Sequence, residues 1–426
     1  MTDVLAVERL TFGFDALAHR DRQVVFVPYG APGDHVVAET VERHAQFVRA
    51  RIVEVAEPGP ARVLPGCRYF PTCGGCQWQH VAPPAQRDAK AAIVAEQLAR
   101  TAGVRDAEVL PTLAARDWQY RARITLVVEG RRAGYHRARS HRLLEVEDCP
   151  IADPVLSAHL DAARDWVGAL RVPLRRVSLA VAPGGVVLTA IASALPGTHD
   201  LDVTTELLAR MPTVRGAVLA DARAERRLVA GDPHVRVALE PGLDLEVPAD
   251  VFTQVNPDAN RLLVASVIAL GGFAPGERVL DLYAGAGNFT LPIARRGACV
   301  VGVERNPVAA AAGPRNALRL GLGGVAFETG AVRDVLARHA PGSVDAVVLD
   351  PPRAGAREQV VSLAASTVPS LAYVSCNPAT FARDARTLAD GGYRLDWVQP
   401  VGQFRWSTHV ELVGAFSRGG GSRAGP

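Results

Sequence analysis

The sequence predicts a multidomain α/β protein with a small N-terminal β-barrel of the OB type, a central α+β region built around cysteines, and a C-terminal doubly wound sheet. Three observations predict it. Residues 4–56 run in short apolar stretches such as Val24-Val25-Phe26-Val27 and Val36-Val37-Ala38, broken at Pro28-Tyr29-Gly30 and Ala31-Pro32-Gly33-Asp34, which is the spacing of a small barrel. Four of the six cysteines fall at positions 67, 73, 76 and 149. Beyond residue 251 strands alternate with helices, a glycine-rich turn follows the first strand, and an acid ends the second.

Composition sets the bounds. A chain of 426 residues that is 48% hydrophobic can bury several cores. It has no run of about 18 uncharged apolar residues, and its first ten residues carry acids without an apolar signal region, so the expectation is a cytoplasmic protein with no membrane segment. A net charge of +3 means that nucleic-acid binding requires a local basic face. Lys90 is the sole lysine. With Ala, Gly and Val also abundant, the dominance of arginine reads as a compositional bias without functional weight.

After the barrel, residues 56–65 hold three prolines and read as a linker. Cys67-x5-Cys73-Gly-Gly-Cys76 then places two thiols around a tight glycine turn, with Cys149 following at Asp148-Cys149-Pro150. In a reducing compartment disulfides are disfavoured, which leaves zinc or an iron–sulfur cluster. Three clustered cysteines with one distant partner lean toward a [4Fe-4S] cluster with a full thiolate set. The spacing is not the Cys-x3-Cys-x2-Cys of radical chemistry. Residues 86–102 have helical periodicity closed by Gly103. Trp118 to Val128 and Gly134 to Arg142 interleave aromatics with Arg121, Arg123, Arg137, Arg139 and Arg142, a surface suited to an RNA backbone with stacked bases or, more simply, a solvated strand face. Residues 151–245 show no chemistry.

The C-terminal part carries the site. Val251-Phe-Thr-Gln254-Val-Asn256 precedes a helix through Ile268. Arg278-Val-Leu-Asp-Leu-Tyr283 runs into Ala284-Gly285-Ala286-Gly287-Asn288, and Cys299-Val-Val-Gly-Val-Glu304 follows one helix later. Strand, glycine turn, helix, strand and acid form a Rossmann-like nucleotide site, with Glu304 placed to bind both ribose hydroxyls. The third glycine of the dinucleotide fingerprint is missing, which favours an adenosine ligand without a pyrophosphate, namely S-adenosylmethionine. The fourth strand ends in Asp350-Pro351-Pro352-Arg353, where an arginine stands in place of the aromatic found in amine methyltransferases. The fifth ends in Tyr373-Val374-Ser375-Cys376-Asn377-Pro378, delivering a lone thiol to a helix N-terminus that favours thiolate. The last strand is expected to open at Ser407-Thr408-His409-Val410-Glu411. A free cysteine is often only a core residue. Here, however, a cysteine and a carboxylate at one sheet edge match what methylation of uracil C5 needs: thiolate attack on C6, then a base to remove the C5 proton.

Cys-Gly-Gly-Cys-Gln-x-Gln-His, Phe-x-Gln-Val-Asn, Leu-Asp-Leu-Tyr-x-Gly-x-Gly-Asn-Phe-Thr, Asp-Pro-Pro-Arg, Ser-Cys-Asn-Pro and His-Val-Glu together cover nearly the whole chain. On these motifs it resembles the bacterial RNA 5-methyluridine methyltransferases that carry an N-terminal TRAM domain and an iron–sulfur cluster, the group that modifies 23S ribosomal RNA. The resemblance implies Cys376 as nucleophile, Glu411 as base, and Cys67, Cys73, Cys76 and Cys149 as cluster ligands. Gln254, Tyr283, Gly285, Asn288, Glu304 and Asp350 would line the S-adenosylmethionine and base pocket. The implied organisation is a TRAM domain over 1–56, a central domain over 57–250, a methyltransferase domain over 251–416 and a disordered tail over 417–426, acting as a monomer on ribosomal or transfer RNA. Two departures stand out: Gly13-Phe-Asp-Ala-Leu-Ala has fewer glycines than the TRAM pattern, and Thr329-Gly330-Ala331 lacks a polar side chain to face the adenine. The rival readings are a cysteine-dependent RNA 5-methylcytidine methyltransferase and a non-catalytic RNA-binding or assembly factor.

Overall fold

The structure is a computed structural model that describes residues 2–221, 227–336, 338 and 342–419. The expected tail therefore lies mostly outside the described residues. Five strands, β1 (Thr2–Leu10), β2 (Asp15–Arg20), β3 (Gln23–Pro28), β4 (His35–Arg43) and β5 (Phe47–Glu57), close into a barrel in the order β1-β2-β3-β5-β4. Alternate residues such as Val25, Val27, Val36, Ala38, Val48 and Ala50 fill its interior, because side chains along a strand point to opposite faces in turn. The stretch expected as a linker is tied down. The buried carboxylate of Asp34 accepts hydrogen bonds from the Gly59 N–H at 2.9 Å and from Arg62 Nη2 at 2.6 Å, which fixes the barrel to the chain that leaves it.

α1 (Pro83–Gln97) starts on two prolines, whose missing N–H groups cost nothing at a helix start. Its last turn widens over Leu98–Ala102 and stops at Gly103, which holds φ 69°. The short strand β6 (Glu108–Val109) follows. The central sheet is built from β7 (Arg123–Glu129), β8 (Arg132–His136), β9 (Leu143–Leu144), β10 (Leu174–Ala182), β11 (Gly185–Ala192), β12 (Val214–Asp221) and β13 (Arg227–Gly231), in the order β13-β12-β11-β10-β7-β8-β9. α2 (Pro154–Ser157), α3 (Leu160–Ala169) and α4 (Thr198–Arg210) accompany it, with Trp166 buried in its core.

A hairpin of β14 (His234–Glu240) and β15 (Leu243–Pro248) leads to α5 (Pro257–Gly271), capped by the Asn256 side chain. The remaining elements are β16 (Arg278–Leu282), α6 (Thr290–Ala294), β17 (Cys299–Glu304), α7 (Pro307–Arg319), β18 (Val325–Thr329), α8 (Val332–Leu336), β19 (Ala346–Leu349), α9 (Arg357–Ala364), β20 (Ser370–Ser375), α10 (Pro378–Asp390), β21 (Arg394–Val401) and β22 (Glu411–Ser417). They form a sheet in the order β18-β17-β16-β19-β20-β22-β21-β6. Strands β16 to β20 are mutually parallel, and β22 is antiparallel to both of its neighbours. One face packs on α5 and α7 through residues such as Leu263, Val267 and Ala312. The other packs on α1, α9 and α10 through Val94, Val360, Phe381 and Leu388. Both faces are covered, so strands such as β19 and β20 are buried at every position.

The sequence expects the last strand to open at Ser407. It opens at Glu411 instead, and residues 402–410 form a loop. Trp406 in that loop holds φ 62°, a left-handed conformation rare for an aromatic residue. Its carbonyl accepts from the backbone N–H groups of Gln77 and Trp78 at 2.8 and 2.9 Å. Pairing to that distant segment takes the loop's backbone away from the sheet.

Candidate active site

Parallel strands deliver their carboxyl ends to one edge of a sheet, and ligands bind there in doubly wound folds. Here that edge receives Tyr283 after β16, Glu304 at the end of β17, Asp350 after β19 and Cys376 after β20. Because β22 runs antiparallel to β20, it brings its first residue to the same edge. The pairing of Ser375 with Leu412 sets Cys376 and Glu411 one step further along, side by side. The strand direction, rather than any local motif, creates this pair.

Cys376 lies between a fully buried strand and α10, whose first turn Asn377 caps by accepting from the Ala379 N–H at 3.1 Å. Burial pushes the thiol up to about 11, the negative charges of Glu411 and Asp350 add to that, and Arg353 opposes it. The expectation that the helix N-terminus favours thiolate is therefore opposed by burial and by the two carboxylates, which raise the thiol. Glu411 is 4% exposed. Burial holds its carboxyl well above the usual range, Asp350 raises it further, and Lys90 opposes both. His409, two residues earlier, is driven down to about 4 by burial and by the cations Arg353, Lys90 and Arg121.

The carboxylates continue along the strand ends. Burial pushes Asp350 up to about 7, with Asp281 contributing. Asp281 is also raised to about 7, by burial first and Glu304 in part, although a 2.5 Å hydrogen bond from the Thr290 hydroxyl opposes the shift. Its other oxygen, Oδ1, is buried without a partner. Buried acids that raise one another in this way are a mark of functional sites. Glu304 accepts from the Gly285 N–H at 2.9 Å and from the Asn306 N–H at 2.6 Å, so it holds the glycine turn in place. Gly285 has φ 58° with open space where a Cβ would lie, and Tyr283 adopts φ 67°. Strained backbone next to empty space is where a ligand approaches.

The other expected residues are engaged within the protein. Asn288 exchanges hydrogen bonds of 2.8 and 3.0 Å with Asn260, tying the glycine turn to α5. Gln254 accepts from Gln403 at 2.7 Å and so joins the segment before α5 to the loop before β22. Sequence reasoning gave no role to Asp281, Gln403, Lys90, Arg405 or Trp406. Asp281 was visible inside Leu-Asp-Leu-Tyr, and Lys90 as the sole lysine; the others carry no local signal.

Cys67, Cys73, Cys76 and Cys149 are free thiols that line one cavity of about 230 Å³, together with Tyr69, Arg121 and Tyr135. Burial pushes Cys76 up to about 12, and burial raises Cys73 and Cys149 as well. Buried thiols of this kind, gathered in one cavity, are deprotonated when they coordinate a positive centre. Among the described residues, no group of three or more His, Cys, Asp or Glu is arranged to hold a metal ion. The cavity adjoins a small core in which Trp406 packs with Tyr120, Ile151, Cys76 and Cys149. Among the described residues, no helix is long and apolar enough to cross a membrane.

The family model described as tRNA (Uracil-5-)-methyltransferase matches residues 339–417, a span that includes Cys376 and Glu411, and the one described as Conserved hypothetical protein 95 matches residues 251–371. The chain is similar to the 23S rRNA (uracil(1939)-C(5))-methyltransferase RlmD of Alkalilimnicola ehrlichii, with 35% identity covering 97% of this chain and 96% of that one. The RlmD of Thiobacillus denitrificans is 34% identical, with 98% and 99% covered. Among solved structures, the Pyrococcus abyssi tRNA (uracil-54, C5)-methyltransferase in complex with S-adenosyl-L-homocysteine superposes with a TM-score of 0.70 at 24% identity, covering 98% of this chain and 100% of that one, a likeness of fold. Taken over nearly the full length of both chains, the similarity to the RlmD enzymes shows that this chain belongs to the family of 23S rRNA (uracil-C5)-methyltransferases.

Proposed function

We propose that the protein methylates C5 of a uracil in RNA, with 23S ribosomal RNA as the substrate class, through a covalent adduct between Cys376 and C6. The observation that carries this reading is the β20–β22 register that sets Cys376 beside Glu411. S-adenosylmethionine supplies the methyl group when bound, and the acidic strand ends of Asp281, Glu304 and Asp350, with the open backbone at Gly285, suit its sulfonium and ribose.

Cys376 reacts as its thiolate, its proton passing to water. The sulfur electron pair forms the S–C6 bond, and the C5–C6 π pair shifts toward the C4 carbonyl. C5 then takes the methyl group as the sulfonium S–CH3 bond breaks and leaves a neutral thioether. Glu411 then removes the C5 proton. The C–H electron pair becomes the C5–C6 double bond, the S–C6 bond breaks, and the Cys376 thiolate leaves. The raised carboxyl of Glu411 suits a group that must hold that proton after taking it. Stacked bases close both faces of C6, so the target uridine must leave its stack.

The N-terminal barrel is read as a TRAM domain that contacts RNA. Arg49, Arg51, Arg62 and Arg139 border a groove of about 840 Å³ that also holds Tyr29 and Phe70, a combination of cations and aromatic faces that takes single-stranded RNA. The four cysteines are read as ligands of a [4Fe-4S] cluster, on the chemistry of the donor set and the room between them.

Glu411→Gln tests the mechanism. Loss of a general base slows its step by about 10²–10⁴-fold, enough to trap the adduct after methylation. With S-adenosylmethionine labelled in its methyl group, denaturing electrophoresis should show label on a shifted protein–RNA band that Cys376→Ala abolishes. Transcripts in which cytidine replaces the target uridine should give no label. Normal turnover by Glu411→Gln, or an adduct without the methyl group, would remove Glu411 from this role.

A further inference from the structure

Among 47 basic residues, Lys90 alone is lysine, and it is 0% exposed. A composition that supplies arginine everywhere else leaves the question of why this position differs. The pocket gives a physical answer. Nζ of Lys90 donates to the Phe404 carbonyl at 2.6 Å, and the Trp78 ring centroid lies 6.0 Å from it. Phe404 belongs to the loop 402–410 that leads into Glu411. A compact ammonium satisfies one carbonyl here, whereas a guanidinium brings five donors. Arg405, one residue along that loop and 2% exposed, already leaves Nε and Nη1 without partners.

The charged groups of the Glu411, Cys376 and His409 cluster come from several elements, Arg353 after β19 and Arg121 before β7 among them. Asp350 follows β19, Cys376 follows β20, Lys90 lies on α1, and His409 and Arg405 lie on the loop before β22. Asp350 raises Glu411, and Lys90 is the group that lowers it. Burial brings Lys90 itself down to about 7, Arg405 lowers it further, and Glu411 opposes that fall. Each of the two therefore favours the charged form of the other.

We propose that Lys90 is a positioning residue for the C5 proton abstraction: through its hydrogen bond to Phe404 it anchors the loop that leads into Glu411, and as a cation it acts on that carboxyl. The inference rests on the reading of Glu411 as the base. Lys90 does not touch the uracil in this account. It acts by opposing the rise that burial and Asp350 impose on the Glu411 carboxyl, so that a larger share of it is ionised and able to take a proton.

Two measurements test it. Lys90→Gln keeps a donor but removes the charge, and Lys90→Arg keeps the charge. In single-turnover assays Lys90→Gln should accumulate the methylated adduct and slow its breakdown about tenfold at pH 7, with the base-limited limb of the breakdown profile moved up by about one pH unit. Lys90→Arg should leave that limb near its wild-type position. A raised KM and lowered Tm with the limb unmoved would assign Lys90 a merely structural role and overturn the proposal. The second measurement needs no Lys90 variant. Protein grown on lysine labelled with ¹³C at Cε contains one labelled residue, so a single signal reports the charge of Lys90. In Glu411→Gln, loss of the anionic partner should move its titration midpoint to lower pH, and an unchanged midpoint would sink the idea. If instead Glu411→Gln turns over normally while the lysine midpoint moves, the electrostatic coupling stands and the role of Glu411 as base fails.

Discussion

Asp281 and Asp350 share the problem of a carboxyl without water, and burial raises both to about 7 from the usual 3.8. A raised acid binds a proton more tightly in the folded state, so its contribution to stability is present at pH below the unfolded value and is lost as pH climbs toward 7. Near neutral pH these two acids are thus poised to ionise. A sulfonium cation binds the ionised form, so affinity for S-adenosylmethionine should rise from pH 6 to 8, with protons released on binding. S-adenosylhomocysteine has a neutral sulfur and should show a much flatter profile. Calorimetry in buffers of different ionisation enthalpy measures both, and equal pH dependence for the two ligands would mean that the acids do not face the sulfur. Cys376 and Glu411 were legible in the sequence as residue types within short motifs. Their protonation was not, because it depends on burial and on charges from β19 and α1 that no local stretch records.

At the scale of elements, the loop 402–410 was the main misreading. Its aromatic and β-branched residues look like the start of a strand, but hydrogen bonds from distant segments hold it off the sheet: Gln77 and Trp78, more than 300 residues away in sequence, donate to the Trp406 carbonyl, Lys90 to that of Phe404 and Tyr120 to that of Arg405. The same bonds tie the cysteine site to the chemistry. Cys76 immediately precedes Gln77, and Cys76 and Cys149 pack against Trp406, so the cysteine cavity and Glu411 are joined through one loop. The glycine turn that serves the cofactor lies elsewhere, between β16 and α6. Anaerobically prepared protein should contain iron and acid-labile sulfide, and Cys76→Ser should lose both. That variant should bind S-adenosylmethionine within about twofold of wild type, since the turn is untouched, but should turn over at least about tenfold more slowly, as roughly 1.4 kcal/mol of misplacement at the base would produce. Calorimetry paired with methyl-transfer rates separates the two effects. An equal loss of cofactor binding and turnover would indicate general unfolding instead.

Across the whole molecule, the barrel and the doubly wound sheet follow from periodicity and glycine placement, and both were legible. How they interlock was not. β6 and α1 precede the central sheet in sequence yet pack with the C-terminal sheet, β6 as its edge strand beside β21 and α1 on the face shared with α9 and α10. Such pairings depend on register between segments hundreds of residues apart, which period and propensity do not encode. Barrel and central region also meet through Arg139, whose guanidinium pairs with Asp15 at 2.8 Å. Arg49 and Arg51 are exposed cations on the barrel groove, 46% and 70% accessible; Arg49 lies within 4.0 Å of Asp15 and 3.9 Å of Glu42, and Arg51 pairs with Glu39 at 2.8 Å. Surface pairs of this kind contribute little to stability, so replacing both with alanine should leave folding and S-adenosylmethionine binding intact. If the groove takes single-stranded RNA, each lost phosphate contact should reduce the dependence of log K on log salt by about 0.7. The double variant should therefore bind RNA more weakly at low salt, with a slope shallower by about 1.4. Methyl transfer should fall through KM, with kcat little changed, because the reacting groups lie on another element. A slope equal to that of wild type, measured by fluorescence anisotropy across a salt series, would place the RNA on a different face and leave the barrel as a packing module.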